Sequence, residues 1–388
     1  MTTRTVSEGE ALVEAARALR PFIRKHGDEI EAGRRLPAPV VEAMQQVGAI
    51  RMTMPREWGG PEADPMTQIR VIEELSIADG SVGWCAMIGS DGGYFSAYLD
   101  PDLAREMYRD LDSVTASVVR PSGRAVVVDG GYRVTGRWAF ASGCQHSAWF
   151  GGMCLVIDGD TPRRNPAGQP ETRFCFMPAE QVAILDTWTT TGLRGSGSHD
   201  FEVRDVFVPE GRTYDPVYGP IRRPGPLYQL RSIYLSNLAG VPLGLGRAAI
   251  DAVIDLAETK STRIGTGLRD EPYAQAAIGR AEALIGSARA YALGVMEDVW
   301  NSLVAGRELT AAQRARYRLS MTHAFVACTE AVDLMYHTAG GTALYATHPL
   351  DRIFRDMHTI NQHFAIGPKT YEAAGRLFLG LEPGLPMF

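Results

Sequence analysis

The chain has 388 residues, with 45 acidic side chains against 39 basic ones and a net charge of -6, so it has no basic excess with which to hold nucleic acid. Hydrophobic residues at 45% and charged residues at 22% are the proportions of a folded globular protein, and the length suits two or three structural units around cores of their own. The first residues carry no apolar signal core, and no apolar run reaches the roughly 18 residues of a spanning helix; neither secretion nor membrane insertion is expected, and a cytoplasmic protein is.

From Glu8 to about Asp112 the pattern is helical. Leu12, Ala16, Leu19 and Ile23 recur at the spacing of one buried stripe. Pro37 and Pro39 suit the start of a second helix, Val40, Met44 and Val47 its apolar face, and Gly48 its stop. Met66 to Ile77 is again helical, and Asp79, Gly80 and Ser81 then offer a turn and an N-cap for a helix carrying Trp84. Between Ser113 and about Tyr214 short β-rich runs take over. AVVVDGGYRV predicts a hairpin turning at Asp129, Gly130 and Gly131, and further strands are expected over Trp149 to Ile157, Arg173 to Met177 and Phe201 to Val208. No long helix intervenes, so the sheet is expected to be antiparallel. After the Pro-rich connector IRRPGPLYQL the chain is helical to its end, with long helices over Tyr273 to Val304 and Leu309 to His337 that suit a bundle. Three units are therefore expected, helical over residues 1–112, β-rich over 113–214 and helical over 215–388, an α+β architecture with its elements segregated.

The five cysteines, Cys85, Cys144, Cys154, Cys175 and Cys328, are odd in number and form no CxxC pair, which suits reduced thiols acting as small buried hydrophobes. The eight histidines include no HExxH, and His358 and His363 are five apart, on different faces of a helix, so no metal site is expected. GLGRAA at Gly244 to Ala249 looks like a dinucleotide fingerprint, but no strand precedes it; a helix start with small residues for close packing is the better reading.

Three other stretches carry candidate chemistry. WAFASGCQHSAW puts Trp138 and Phe140 beside Ser142 and Gly143, enough to contact a planar ring and hydrogen-bond its edge. TGLRGSGSHD gathers Arg194, Ser196 and Ser198 with glycines just before a strand, suited either to an anionic or heteroaromatic ligand or to a solvated hairpin loop. AGGTALYATHPLDRIFRDMHTINQH, from Ala339 to His363, brings paired glycines, alternating charges and three histidines to the end of a helical region.

Taken together and in this order, these segments resemble the acyl-CoA dehydrogenase superfamily over nearly the whole chain. That resemblance implies an N-terminal helical domain, a middle β-domain facing a flavin, and a C-terminal helical bundle that forms the core of a homotetramer. Where many acyl-CoA dehydrogenases carry a glutamate base two residues before the proline of the C-terminal segment, this chain has Thr347, and a threonine hydroxyl cannot act as a carboxylate base near neutral pH. DGSVGW, WAFASG, LRGSGSHD and the last histidine of RDMHTINQH are similar to the two-component flavin-dependent monooxygenase branch of the superfamily.

The resemblance to that branch implies that Ser142 faces flavin N5 and that Trp138, Phe140, Gly143, Arg194, Ser196 and Ser198 line the flavin pocket. It makes His363 the active-site base and puts Trp84, Thr347 and His348 on the substrate side. Gly340, Gly341 and Arg263 would touch flavin phosphates across a subunit interface; the family's Arg-aromatic-Gly signature reads RIG here, which leaves FMN and FAD both open. The implied reaction uses reduced flavin from a separate reductase and dioxygen, through a C4a-hydroperoxyflavin, to oxidise a small, aromatic or heteroatom-containing substrate. The alternatives are acyl-CoA dehydrogenation and non-catalytic flavin binding.

Overall fold

The computed structural model describes residues 7–229, 236–261 and 265–385. Helices come first: α1 (Glu8–Ala18), α2 (Arg20–Lys25), α3 (Gly27–Gly33), α4 (Ala38–Gln46), α5 (Pro65–Ala78), α6 (Gly80–Gly89), α7 (Gly92–Ser96) and α8 (Pro101–Met107). The stripe read from Leu12 to Ile23 is divided between α1 and α2, because Pro21 lies in the first turn of α2 and lacks the N–H that would continue a single ladder; Val13, Ala16 and Ile23 still face one core. The side chain of Asp64 caps α5 by accepting from Thr67 N at 2.9 Å, and that of Asp79 caps α6 by accepting from Ser81 N at 2.9 Å and Val82 N at 3.2 Å.

The sheet follows, with strands β1 (Thr115–Val128), β2 (Gly131–Ala141), β3 (Trp149–Asp158), β4 (Thr161–Pro162), β5 (Thr172–Pro178), β6 (Ala183–Leu185), β7 (His199–Pro209) and β8 (Thr213–Tyr214). Their order is β6-β7-β2-β1-β3-β5-β8, with β4 paired to β3. The expected hairpin at Asp129 and Gly130 is present, with Val128 opposite Gly131. Among the described residues the sheet is antiparallel as expected in every strand pairing but one, since β1 and β3 run parallel, Thr115 beside Trp149 and Ala125 beside Val156. No helix is needed for this crossover: β2 returns the chain to the start of β1, and residues 142–148 carry it past that edge. The sheet has its own core, in which Trp138 stacks on Phe201 at 4.8 Å and donates from Nε1 to Met153 O at 2.8 Å.

The C-terminal helices are α9 (Gly240–Thr259), α10 (Pro272–Val304), α11 (Ala311–Ala339), α12 (Pro349–Ile360) and α13 (Lys369–Phe378). GLGRAA lies inside α9, where a Cβ at Gly244 would stand 2.5 Å from Glu73 O; the small residues serve close packing of α9 on α5. The five cysteines are buried and unpaired. Among the described residues no group of three His, Cys, Asp or Glu stands together as a metal site, and no helix is long and apolar enough to cross a membrane.

Candidate active site

The expected serines meet where the end of β2, the Arg194–Ser196 turn and α6 come together. The indole Nε1 of Trp84 donates to Ser142 Oγ at 2.9 Å. Ser142 Oγ lies 2.7 Å from Ser198 Oγ, which lies 2.7 Å from Ser196 Oγ. Ser196 Oγ in turn donates to Leu193 O at 2.7 Å. Each hydroxyl has one proton, and that fixes the direction of the whole relay. Ser196 gives its proton to the Leu193 carbonyl, so Ser198 donates to Ser196 and Ser142 donates to Ser198. Ser142 accepts from Trp84 and keeps one lone pair for a further N–H or O–H donor.

The backbone around the relay is irregular in a way that serves it. The pairing of β2 with β7 shifts between Trp138 and Ala141, and in this bulge Phe140 takes a left-handed φ of 69° and is 68% exposed. Such bulges re-aim side chains, at a conformational cost met by the surrounding contacts. Phe140 therefore leaves the sheet as an open aromatic face beside Ser142, with Trp188 edge-on at 6.2 Å. Gly143, also left-handed at φ 72°, donates its N–H to Ser196 O at 2.9 Å and ties the two turns together.

His363 follows α12 and sets its ring edge-on to Trp84, with centroids 5.5 Å apart. Its Nδ1 is buried without a hydrogen-bond partner among the described residues. Burial, with the Arg318 charge adding to it, pushes the imidazole pKa down to about 4, so the ring is neutral at physiological pH.

The other expected residues are placed less uniformly. The structure does not bring the Trp138 ring to this cluster; it is fully enclosed in the sheet core. The guanidinium of Arg194 is engaged elsewhere, donating to Glu31 O at 3.2 Å and Thr190 O at 3.1 Å. Gly340 and Gly341 are exposed at the end of α11, where Lys260 Nζ donates to Ala339 O and to Thr342 Oγ1, the latter at 2.7 Å. Thr347 is exposed, and His348 caps α12, its Nδ1 accepting from Leu350 N at 3.3 Å. His348 and His363 flank α12, whose 12 residues span about 18 Å at 1.5 Å per residue, so within one chain Thr347 and His348 stand far from His363. Arg263 lies outside the described residues.

Two buried carboxyl groups escaped the sequence reading. Asp91 lies seven residues beyond Trp84 with Ile88 between them, on one face by helical spacing. Its Oδ1 has no partner among the described residues, and burial raises its pKa well above the carboxylate range. In the sequence it passes for a turn residue before two glycines. Asp356, inside the RDMH run, accepts from Leu193 N at 2.6 Å; the two residues are 163 positions apart, and no local pattern announces the contact.

Comparison with known proteins matches residues 7–99 to the acyl-CoA dehydrogenase N-terminal domain and residues 236–368 to the acyl-CoA dehydrogenase C-terminal domain. The chain is 35% identical to an indole-3-acetate monooxygenase of Acinetobacter baumannii over 349 residues, 89% of this chain and 87% of the relative. It is 30% identical over 399 residues to HsaA of Mycobacterium tuberculosis, the oxygenase subunit of a flavin-dependent monooxygenase, with 99% of each chain covered. The crystal structure of that HsaA superposes with a TM-score of 0.90 over 98% of this chain and 100% of the other, at 28% identity. XiaF from a Streptomyces species, solved in complex with FADH2 and glycerol, superposes with a TM-score of 0.89 at 27% identity, over 97% of this chain and 96% of the other.

Proposed function

Since the chain belongs to the acyl-CoA dehydrogenase family, in its flavin-dependent monooxygenase branch, we propose that it is the oxygenase component of a two-component system, taking reduced FMN or FAD from a separate reductase and oxygenating a small aromatic substrate. The names of its relatives support the reading: one acts on indole-3-acetate, another is an oxygenase subunit, and a third was crystallised with FADH2. Five unpaired buried cysteines suit a reducing cytoplasm.

The observation that carries the proposal is the direction of the serine relay. A planar heteroaromatic ring that carries an N–H on one edge matches an exposed Phe140 face next to a Ser142 oxygen with one lone pair to spare. When bound, reduced flavin supplies the activation of dioxygen. Ser142 then accepts and holds the ring N–H, which keeps that proton from leaving prematurely. Trp84 holds Ser142 in this orientation and packs against His363. His363, neutral and with an unpaired ring nitrogen, takes the proton released when an aromatic hydroxyl or N–H is activated.

Gly340, Gly341, Thr347 and His348 do not join this cluster within one chain. We assign them to a junction between subunits of a homotetramer, beside the exposed Leu344 and Tyr345. The dehydrogenase alternative lacks a carboxylate at Thr347. The deciding experiment supplies purified protein with chemically reduced flavin, dioxygen and a panel of phenols and indoles, and follows oxygen uptake and product. Hydroxylated product is expected. Anaerobic bleaching of bound flavin by an acyl-CoA, with no product from any aromatic, would overturn the assignment.

A further inference from the structure

We propose that the buried carboxyl pair Asp79 and Asp356 is a positioning device for the serine relay, closing a ring of contacts that decides whether Ser142 accepts or donates; this rests on the reading of Ser142 as the flavin-facing acceptor. The ring can be followed residue by residue. Asp79 caps α6 through two backbone N–H groups and so fixes the helix that carries Trp84. Trp84 donates to Ser142, and the relay runs through Ser198 and Ser196 to the carbonyl of Leu193. The N–H of Leu193 donates to Asp356 Oδ1 at 2.6 Å. Asp356 Oδ2 lies against Gly80, the residue after Asp79, where a Cβ would stand 2.8 Å away. The ring is thereby closed.

Leu193 is the vulnerable member. It holds a left-handed backbone, φ 48° and ψ 33°, which a branched side chain adopts at a cost. Its carbonyl also accepts from Trp188 Nε1 at 2.9 Å and from Ser196 N at 3.0 Å. Without the bond to Asp356, the buried Leu193 N–H would be left unpaired and the turn would lose the contact holding it in this conformation. The carbonyl would then move off Ser196, and the fixed order of donors along the serines would be lost. Ser142 could then point its proton at the flavin instead of accepting one.

The two carboxyl groups are not alike. Burial raises the Asp79 pKa as well, but two N–H donors and Arg352 Nη1 at 3.7 Å work against that rise. Asp356 has a single N–H partner, and burial together with the neighbouring Asp79 charge raises its pKa well above the usual range. Arg352 and Arg355 hold the outer side, pairing with Asp28 at 2.8 Å and with Glu31 at 2.8 Å.

The test compares Asp356→Ala and Asp356→Asn with Ser142→Ala. In the flavin-free protein, amide exchange over residues 190–198 should quicken by about tenfold or more in Asp356→Ala, and stay near wild type in Asp356→Asn, whose amide oxygen can still accept from Leu193. With reduced flavin and substrate, Asp356→Ala should release several-fold more peroxide per product with little change in KM, and Asp356→Asn should restore coupling. If alanine prevents folding, Asp356→Leu, which fills the space without an acceptor, takes its place. Unchanged exchange and coupling in the non-accepting variant, while Ser142→Ala uncouples, would overturn the positioning role alone. Normal coupling in Ser142→Ala would instead overturn the reading on which it rests.

Discussion

The serine relay and the segment from Ala339 to His363 lie in one protein and are built in opposite ways. In the relay every hydroxyl proton has an acceptor, the indole of Trp84 is paired, and the strained positions Phe140 and Leu193 are held by named contacts. The C-terminal segment begins with exposed Gly340 and Gly341, carries Leu344 at 70% and Tyr345 at 69% exposure, and ends on a histidine whose buried Nδ1 has no partner among the described residues. A satisfied network fixes geometry, whereas unsatisfied groups and bare apolar side chains mark what a ligand or a second chain completes. In the proposed reading the relay is the rigid half of the site, and the C-terminal segment supplies its reactive and assembling parts.

The sharpest way to test that contrast is to remove the reactive end. His363→Ala should lower product formation by about 10²-fold, the scale of a lost general base, while flavin binding measured by fluorescence quenching stays near wild type. A loss of flavin binding as large as the loss of turnover would place His363 with the rigid half instead. Ser142→Ala should act more mildly. Losing one hydrogen bond of about 1 kcal/mol corresponds to roughly a fivefold change in rate, seen as peroxide released in place of product, with folding intact by circular dichroism.

The assembling role proposed for the C-terminal segment predicts a change of mass. Light scattering should show a homotetramer, and Leu344→Asp combined with Tyr345→Asp should reduce the observed mass, by up to about fourfold if the tetramer falls fully apart. A monomer in the unaltered protein would remove this half of the comparison.

The smallest effect concerns pH. The rings of His146 and His363 both have their pKa pushed down to about 4 by burial, whereas in an unfolded chain histidine takes up a proton near 6.5. Between those values unfolding binds protons, so these residues favour the folded state fully above about pH 6.5 and lose that contribution as the pH falls toward 4. The Tm should drop by a few degrees across that window, and His363→Gln should make the drop shallower. An equal slope in the variant would show that His363 does not contribute.

Much of the architecture was legible because its signals are local. Periodicity along Met66 to Ile77, the cap at Asp79, the Asp129–Gly130 turn and the long Ala-rich runs of α10 and α11 each depend on neighbours a few residues away. The same holds for Trp84, Ser142, Ser196, Ser198 and His363, which stand in short motifs whose likeness to a family could be read directly. The parallel pairing of β1 with β3 was missed because strand direction depends on where the chain crosses the sheet, not on the composition of either strand.

The sequence by itself determined the order of the elements and the short motifs from which the serine cluster and His363 come, since both follow from local pattern and side-chain chemistry. Tertiary structure alone decided that Trp138 belongs to a core and Phe140 to an open face, that the serines donate in one direction ending on Leu193, and that Asp356 grips that residue from 163 positions away. It also decided the low pKa of His363, because desolvation and a nearby Arg318 charge arise from packing between distant segments.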